Sequence, residues 1–233
     1  REREKAVVSW LGQVQKDAQE LFLLGDLFDF WFEYKTAVPR GYARFLGKLA
    51  ELADQGIQIH IFVGNHDLWM WDYLEKELGA KIYREPSDLK ITTANKLFQL
   101  HIGHGDGLGP GDKGYKFLKK VMTNKALQWL YRRIHPDTGI AIANWFSQLG
   151  PKHGEGREEQ FQGAEKEWLV QFCLSTIEKN HFDYFIFGHR HLALEYPIKD
   201  CSVYINLGDW IRFDSYAVFD GTSTRLQYYK KHD

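Results

Sequence analysis

Four short segments of the sequence combine glycine with aspartate, asparagine or histidine, and each follows a run of β-branched or aromatic residues. The segments are Gly25-Asp26-Leu27-Phe28-Asp29, Gly64-Asn65-His66-Asp67, Gly103-His104-Gly105-Asp106 and Gly188-His189-Arg190-His191. Carboxylate, amide and imidazole groups bind divalent ions such as Mn²⁺, Fe²⁺, Zn²⁺ and Mg²⁺. Four strand ends that carry these groups predict a metal site at the carboxyl edge of an α/β sheet.

The residue types in these segments suit a site that binds two metal ions. An aspartate can bridge two cations through its carboxylate, and an asparagine can bind one through its carbonyl without adding charge. Two ions about 3.5–4 Å apart can polarise a phosphoryl oxygen and generate hydroxide for in-line attack. A single buried histidine, in contrast, is more often a hydrogen-bonded core residue than a ligand. We therefore assign no metal role to the histidines outside the four segments, which are His60, His101, His135, His153, His181 and His232.

Sequence periodicity places the four segments at strand ends. It predicts helices over residues 1–20, 40–55 and 69–78, and strands over residues 21–24, 57–63, 81–83, 89–93 and 97–102, the last two forming a hairpin. Residues 112–179 show three or four helical segments and almost no strand signal, and strands are predicted again over residues 183–187, 204–207, 215–219 and 225–229. The last three of these strands alternate as an antiparallel sheet edge does. We therefore predict one catalytic α/β domain, residues 1–111 and 180–233, with a helical cap insertion over residues 112–179.

Composition and charge exclude several classes of protein. A chain of 233 residues with 44% hydrophobic residues is long enough for one large domain with a core. A formal net charge of −1 argues against a nucleic-acid polymer as the partner. Cys173 and Cys201 have no C-x-x-C spacing and are interpreted as free thiols in a reducing compartment. No apolar run approaches the length of about 20 residues that spans a bilayer.

Taken in order, the patterns G-D-x-x-D, G-N-H-D, G-H-G-D and G-H-x-H resemble the calcineurin-like metallophosphoesterases over nearly the whole chain. The resemblance implies an α/β/β/α sandwich with a helical cap insertion and a centre of two divalent ions, for which Mn²⁺ is the expected metal. It implies that Asp26 bridges both ions and that His191 binds the first ion. The implied ligands of the second ion are Asn65, His104 and His189.

The same resemblance implies roles for the residues around the ions. The expected catalytic residues are His66 and Asn65, of which His66 would face the phosphate and stabilise or protonate the developing charge. Asp29 would orient the ligands by hydrogen bonding. Asp67 and Asp106 would stabilise the turns in which they lie.

The sequence departs from the family pattern at one point. The family begins with a strand that ends in D-x-H and supplies two ligands of the first ion, whereas no D-x-H precedes Asp26. The helix predicted over residues 1–20 normally follows that strand and its loop. We therefore expect the sequence to begin downstream of the strand.

Three further segments resemble a branch of the family that acts on a lipid-linked UDP-sugar. They are Phe30-Trp31-Phe32, Gly111-Asp112-Lys113-Gly114-Tyr115 and Leu207-Gly208-Asp209-Trp210. The resemblance implies hydrolysis of the pyrophosphate of UDP-2,3-diacylglucosamine to UMP and 2,3-diacylglucosamine 1-phosphate, a step of lipid A biosynthesis. It implies as substrate-binding residues Asn65, His66, Asp112, Tyr115 and His189. Well-known members of this branch carry arginine at the position of His66.

The first part of the predicted insertion is basic and amphipathic. Between Asp112 and Ile134 there are seven lysines and arginines against one acidic residue, which leaves a local net charge of +6, and large apolar residues are interleaved. Such helices can lie on an anionic membrane surface and shelter acyl chains. We therefore expect a cytoplasmic protein that binds the cytoplasmic face of a bacterial inner membrane peripherally. For any single apolar residue, packing onto the domain is an equally good interpretation.

Two alternative functions remain open at this point. A phosphodiesterase or nucleotide pyrophosphatase of the same family that acts on a soluble substrate would share the metal ligands and differ in the cap. A non-catalytic metal-binding scaffold is favoured by the missing D-x-H and disfavoured by the remaining set of ligands. The sequence predicts no obligate protein partner.

Overall fold

The computed structural model describes residues 2–94, 96–111, 113–149 and 160–229. Within these residues the helices are α1 Glu2–Val14, α2 Ala43–Asp54, α3 Tyr73–Leu78, α4 Lys113–Met122, α5 Lys125–Tyr131, α6 Pro136–Leu149 and α7 Trp168–Ile177. The strands are β1 Glu20–Leu23, β2 Gln58–Phe62, β3 Lys81–Tyr83, β4 Ser87–Thr92, β5 Leu97–Gly103, β6 Tyr184–Phe187, β7 Ala193–Pro197, β8 Val203–Leu207, β9 Ser215–Phe219 and β10 Thr224–Tyr228. Asp112, a predicted substrate contact, lies outside the described residues.

The described strands form two sheets and one separate antiparallel pair. Strands β1, β2 and β3 form a three-stranded parallel sheet in that order. The second sheet has the order β4-β5-β6-β8-β7, in which β5, β6 and β8 run parallel and the two edge strands run antiparallel to them. Strand β9 pairs with β10. Because β1 and β2 are parallel, as are β5 and β6, the segments that follow them lie together at one edge of each sheet.

Alternation of side chains along the strands builds the layers of the fold. In β1, Leu21 and Leu23 pack against helices α1 and α2, whereas Phe22 and the following Leu24 pack against the second sheet. The core between the two sheets includes Phe62, Phe98, Leu100, Ile102, Ile186 and Ile205. Helices therefore cover the outer face of the first sheet, and the two sheets face each other.

Helix α7 covers the outer face of the second sheet. Its residues Leu169, Val170 and Cys173 are buried against Phe185 and Phe187 of β6. This helix completes four layers, and the predicted α/β/β/α sandwich is confirmed. Helix α7 falls at the end of the predicted insertion, yet it packs on the sheet, so α4, α5 and α6 are the helices that remain to form a cap.

Helix α3 begins at Tyr73, four residues later than the sequence predicts. Trp69 instead forms a β-bridge with Phe32. The carboxylate of Glu33 then accepts the main-chain N–H groups of Asp72 and Tyr73 and so satisfies the first donors of the helix. Contacts with a distant loop therefore determine where this helix starts.

The end of the chain also differs from the expected antiparallel edge. Strands β9 and β10 are antiparallel as predicted, whereas β8 lies inside the second sheet and runs parallel to β6. Strand β7 was missed by the sequence analysis because all but its last residue are half-buried, which gives no alternation to detect. None of the helices in the described ranges combines the length and the apolar character needed to cross a bilayer.

Candidate metal centre

Two glycines let the ends of β1 and β2 approach each other closely. A Cβ atom at Gly64 would collide with the main-chain nitrogen and Oδ1 of Asp26 and would lie 2.9 Å from its Cγ. A Cβ atom at Gly25 would lie 2.6 Å from Nδ1 of His104 and 2.8 Å from Cα of Gly64. No side chain fits at either position. Glycine is therefore required at both positions for Asp26 and His104 to approach each other.

The Asp26 carboxylate lies at the centre of the site. Its Oδ1 accepts the main-chain N–H of His66 at 2.9 Å, and its Oδ2 lies 3.3 Å from Nε2 of His104. Burial raises the pKa of Asp26, but the neighbouring His104 and His66 lower it by more, so the pKa lies below its usual value. The carboxylate is therefore ionised at neutral pH, which is the form that binds a cation.

Four predicted ligands converge on one point. Donor atoms of Asp26, His104 and His189 all lie within 4.8 Å of one another. Oδ1 of Asn65 lies 3.1 Å from Nε2 of His104 and 3.0 Å from Nδ1 of His189. We call these four residues the ligand group. Two oxygens and two imidazole nitrogens without a thiolate suit a divalent ion of the Mn²⁺, Fe²⁺ or Zn²⁺ type, so the residues present fit the metal that the family resemblance implies.

The second ring nitrogen of His104 sets its orientation. Nδ1 of His104 donates to the main-chain carbonyl of Leu24 at 2.6 Å, which directs Nε2 towards the ligand group. Burial lowers the pKa of His104, but the carboxylates of Asp26 and Asp106 raise it by more, to about 9. An ion that binds Nε2 must therefore displace a proton.

His189 is held in the opposite protonation state. Burial and the neighbouring His104 lower the pKa of His189 to about 4. The ring is therefore neutral at pH 7, and neutral imidazole is the form that binds metals.

The backbone is strained at three of the predicted ligands. Asp26, His189 and His191 have φ angles of 52°, 64° and 44°, in the left-handed region that residues other than glycine rarely adopt. Each such residue costs about 1–3 kcal/mol, and residues of this kind cluster at functional sites. Three of the six non-glycine residues with positive φ in the described part of the chain therefore lie in these two loops, and the others are Tyr42, Cys201 and Asp214.

His191 lies apart from the ligand group in the described structure. Its Nδ1 is 3.4 Å from Oδ2 of Asp209, and 39% of its side chain is exposed. No role was predicted for the Asp209 carboxylate, although Gly208-Asp209 follows strand β8 as Gly25-Asp26 follows β1. The same pattern of a glycine and an aspartate at a strand end was therefore the signal that could have found it.

His66 lies beside the ligand group and is not part of it. Its ring Nδ1 is 3.1 Å from the main-chain carbonyl of Asp29, to which it donates, so Nε2 is the ring nitrogen left for other contacts. The Asp29 contact is made by the main chain, and the Asp29 side chain is exposed. The Asp29 carbonyl therefore orients His66, and the role of the Asp29 carboxylate in orienting ligands stays a prediction.

Asp67 joins the two turns that carry Asp26 and Asn65. It is fully buried and accepts the main-chain N–H groups of Leu27 at 2.8 Å and Gly64 at 2.6 Å. Burial and the nearby Asp26 raise the pKa of Asp67 to about 7. The predicted role of Asp67 in stabilising its turn is confirmed.

Asp106 connects its turn to helix α4, and its expected role in stabilising that turn stays a prediction. Its Oδ2 accepts the hydroxyl of Tyr115 at 2.5 Å and the ammonium of Lys119 at 2.8 Å. The ring of Tyr115 lies 6.3 Å from that of His189, between centroids. The structure therefore places Tyr115, a predicted substrate contact, next to the ligand group.

Six predicted site residues line one cavity of about 2090 Å³, namely Asp26, Asn65, His66, His104, His189 and His191, whereas Tyr115 is not among its lining residues. It is larger than the roughly 300–1,000 Å³ of common small-molecule pockets. The cavity continues along β1, whose second edge pairs with no strand in the described part of the chain. The open space therefore extends well beyond the ligand group.

Comparison with known proteins identifies the family. The sequence profile described as "Calcineurin-like phosphoesterase" matches residues 3–193. The chain therefore belongs to the calcineurin-like phosphoesterase family, and it is a hydrolase of a class that uses divalent metal ions.

Three of the proteins to which the chain is similar share one name. UDP-2,3-diacylglucosamine hydrolase of Porphyromonas gingivalis is 38% identical over 96% of this chain and 88% of its own length. Hydrolases of that name from Edwardsiella ictaluri and Shewanella baltica are 26% and 24% identical, over 93% and 96% of this chain and 82% and 89% of their own lengths. The resemblance to this branch of the family is confirmed.

Proposed function

We propose that the protein hydrolyses the pyrophosphate bond of UDP-2,3-diacylglucosamine and releases UMP and 2,3-diacylglucosamine 1-phosphate. The observation that supports this most strongly is the convergence of Asp26, Asn65, His104 and His189 on one point. The 38% identity to a hydrolase named for that substrate selects the substrate from the many that this fold serves.

We infer that Asp26 would bind both ions of a pair of divalent ions, that the remaining three residues of the ligand group would hold one of them and that His191 would hold the other. When bound, such a pair of ions supplies positive charge that polarises a phosphoryl oxygen and makes the attacking water easier to deprotonate. Mn²⁺ is the ion that the family resemblance leads us to propose, and the oxygen and imidazole donors also suit Fe²⁺ and Zn²⁺.

His66 is the residue proposed to act on the phosphate directly. Its Nδ1 is engaged by the Asp29 carbonyl, which fixes the ring and leaves Nε2 to contact a phosphoryl oxygen. Because Nδ1 carries the proton donated to Asp29, Nε2 is a donor only when the ring is the imidazolium, and in that form its hydrogen bond would strengthen as negative charge develops on that oxygen. A proton from the same nitrogen could pass to the leaving group. Asn65, its neighbour, would contribute by orienting the phosphate beside the ion.

The substrate would extend from the ligand group towards helix α4. Tyr115 lies between His189 and the Asp106 carboxylate, where it can contact the sugar or its phosphate. Asp112 remains a substrate contact that the family resemblance alone supports. We propose on this basis that the insertion over residues 112–179 supplies a cap made of α4, α5 and α6, with α4 and α5 nearest the site.

The outward face of the cap is the proposed lipid-binding surface. Phe117, Leu118, Trp129 and Leu130, which we call the cap surface, are between 51% and 71% exposed. Lysines and arginines flank them, and each such residue near an anionic membrane contributes about 1 kcal/mol. We therefore propose that this surface shelters acyl chains and binds the cytoplasmic face of a bacterial inner membrane.

Vesicle binding tests the cap surface. We expect Phe117→Ser and Trp129→Ser each to weaken binding to phosphatidylglycerol vesicles about tenfold or more, because each change removes an apolar side chain worth about 1.5–3 kcal/mol when buried. The matched control is Leu97→Ser, which removes an exposed apolar residue from strand β5, outside the cap. Equal binding of all variants would argue that the cap residues serve another purpose.

Product analysis tests the reaction. Purified protein with Mn²⁺ and UDP-2,3-diacylglucosamine should release UMP and the diacylglucosamine 1-phosphate in equal amounts. Equal rates with an analogue that has short acyl chains would favour the alternative of a soluble substrate. Complete absence of product, with metal bound, would favour the scaffold.

A further inference from the structure

Trp69 connects the loop of Asn65 and His66 with cap helix α4. It lies three residues after His66, and its indole N–H donates to the main-chain carbonyl of Met122 at 2.7 Å. Met122 is the last residue of α4, and carbonyls in the last turn of a helix have no partner within the helix. The indole of Trp69 therefore satisfies an acceptor that the helix itself leaves open, together with the Gln128 amide at 3.1 Å.

The ring of Trp69 also contacts helix α5 of the cap. Its centroid lies 4.7 Å from that of Tyr131, the last residue of α5, and 4.9 Å from that of Phe32. Phe32 is fully buried and lies 4.8 Å from Tyr131 by the same measure. The C-terminal ends of cap helices α4 and α5 therefore both contact Trp69, and the Trp69 ring packs with Phe32 of the catalytic domain.

Arg132 makes a second connection beside the first. Its Nε and one terminal nitrogen donate to the main-chain carbonyl of Glu33 at 3.3 and 3.1 Å, and its guanidinium lies 4.3 Å from the ring centre of Trp71. The main-chain N–H of Glu33 in turn donates to the carbonyl of Trp69 at 3.3 Å. Glu33 therefore links Arg132 to Trp69, so both connections to the cap lie on the two loops that contain Glu33 and Trp69.

The cap helices have little packing of their own to fix their position. Neither α4 nor α5 contains a buried residue in the described structure. A segment with few buried apolar contacts opens at low free-energy cost, so each specific contact that fixes it has a large influence on where it lies.

We propose that Trp69 is a positioning residue, which holds α4 and α5 over the ligand group and so preorganises the site for the lipid part of the substrate. The proposal rests on the proposed function for the identity of that substrate. Without the indole contact, part of the free energy of substrate binding is used to order the cap, so the affinity for substrate falls. Once substrate is bound and the cap is seated, the reacting groups are unchanged. The expected effect is therefore on KM and not on kcat.

The test is steady-state kinetics of Mn²⁺-loaded full chain with UDP-2,3-diacylglucosamine. Trp69→Phe keeps a ring and removes the N–H donor, so KM should rise about 2- to 10-fold, the effect of one neutral hydrogen bond. Arg132→Lys keeps the positive charge but loses the planar guanidinium, two nitrogens of which donate to the Glu33 carbonyl, so KM should rise in this variant as well. In both variants kcat should stay within about twofold of the parent value.

Trp10→Phe is the matched control. It removes a buried indole N–H that has no hydrogen-bond partner among the described residues, so KM should not change. Unchanged KM in both Trp69→Phe and Arg132→Lys, or a fall in kcat with KM constant, would overturn the proposal. Failure of the proposed function gives a different result, because the parent protein would then release no UMP.

Discussion

Replacing Gly64 with alanine should disable the site without removing any ligand. The added Cβ would lie 2.9 Å from Cγ of Asp26 and closer still to its main-chain nitrogen and Oδ1, whereas ordinary contacts begin at 3.4 Å. Asp26 would therefore have to move by at least 0.5 Å, and by about 1 Å at its closest atoms. A misplacement of about 1 Å can cost about 10²-fold in rate, and overpacking of this kind costs about 1–3 kcal/mol in stability.

The assay is UMP release with saturating Mn²⁺, measured together with bound metal and thermal stability. We expect Gly64→Ala to lower turnover about 100-fold and to reduce the metal content, because Asp26 and His104 depend on the same close approach. Gly47→Ala is the matched control. Gly47 lies inside α2 with nothing within 4 Å of an added Cβ, so this change should leave activity intact and stabilise the helix by up to about 1 kcal/mol.

Full turnover and full metal content in Gly64→Ala would refute this account of the strand ends. A loss of activity in both variants would show that the glycine-to-alanine change acts through something other than the Asp26 contact.

Three further outcomes follow from contacts in the site. His66→Ala should lower turnover about 10²- to 10⁴-fold, the effect of losing a general acid or a charge-stabilising donor, while metal analysis shows a full complement. In a urea titration at about pH 5, below the raised pKa of Asp67, Asp67→Asn should lower the free energy of unfolding by about 1–3 kcal/mol, because the two carboxyl oxygens accept from Leu27 and Gly64 and an amide nitrogen cannot accept. Chelation should abolish UMP release and lower the melting temperature, and added Mn²⁺ at about 100 times its Kd should restore about 2.7 kcal/mol of stability. A chelated protein with unchanged turnover would contradict the metal assignment.

The ligand group could be predicted because its information is local. Each of these residues follows a glycine at the end of a run of strand-forming residues, so pattern and residue type predicted that Asp26, Asn65, His104 and His189 would lie together, while their assignment as ligands rests on the family resemblance and stays a prediction. Parallel strands then bring such ends to one edge whatever the distance between them in the sequence.

The contacts that attach the cap could not be predicted in the same way. The Trp69 indole and the Met122 carbonyl are 53 residues apart, and nothing in either segment specifies the other. The start of α3 was misplaced for the same reason, because the donors that begin it are satisfied by Glu33, 39 residues earlier than Asp72. Interactions of this kind depend on packing between loops, which periodicity does not describe.

The positive φ angles at the site could not be predicted from the sequence pattern either. Asp and His adopt positive φ more often than most residues other than glycine, but periodicity carries no information on φ and did not single out Asp26 or His189. These residues keep a costly conformation because the surrounding structure imposes it.

Anomalous diffraction from a crystal grown with Mn²⁺ would locate the bound ion directly. We expect a peak surrounded by the Asp26 carboxylate, the Asn65 carbonyl and the ring nitrogens of His104 and His189. An ion found elsewhere, with these four side chains still hydrogen-bonded to one another, would contradict the metal centre and the hydrolysis proposed from it.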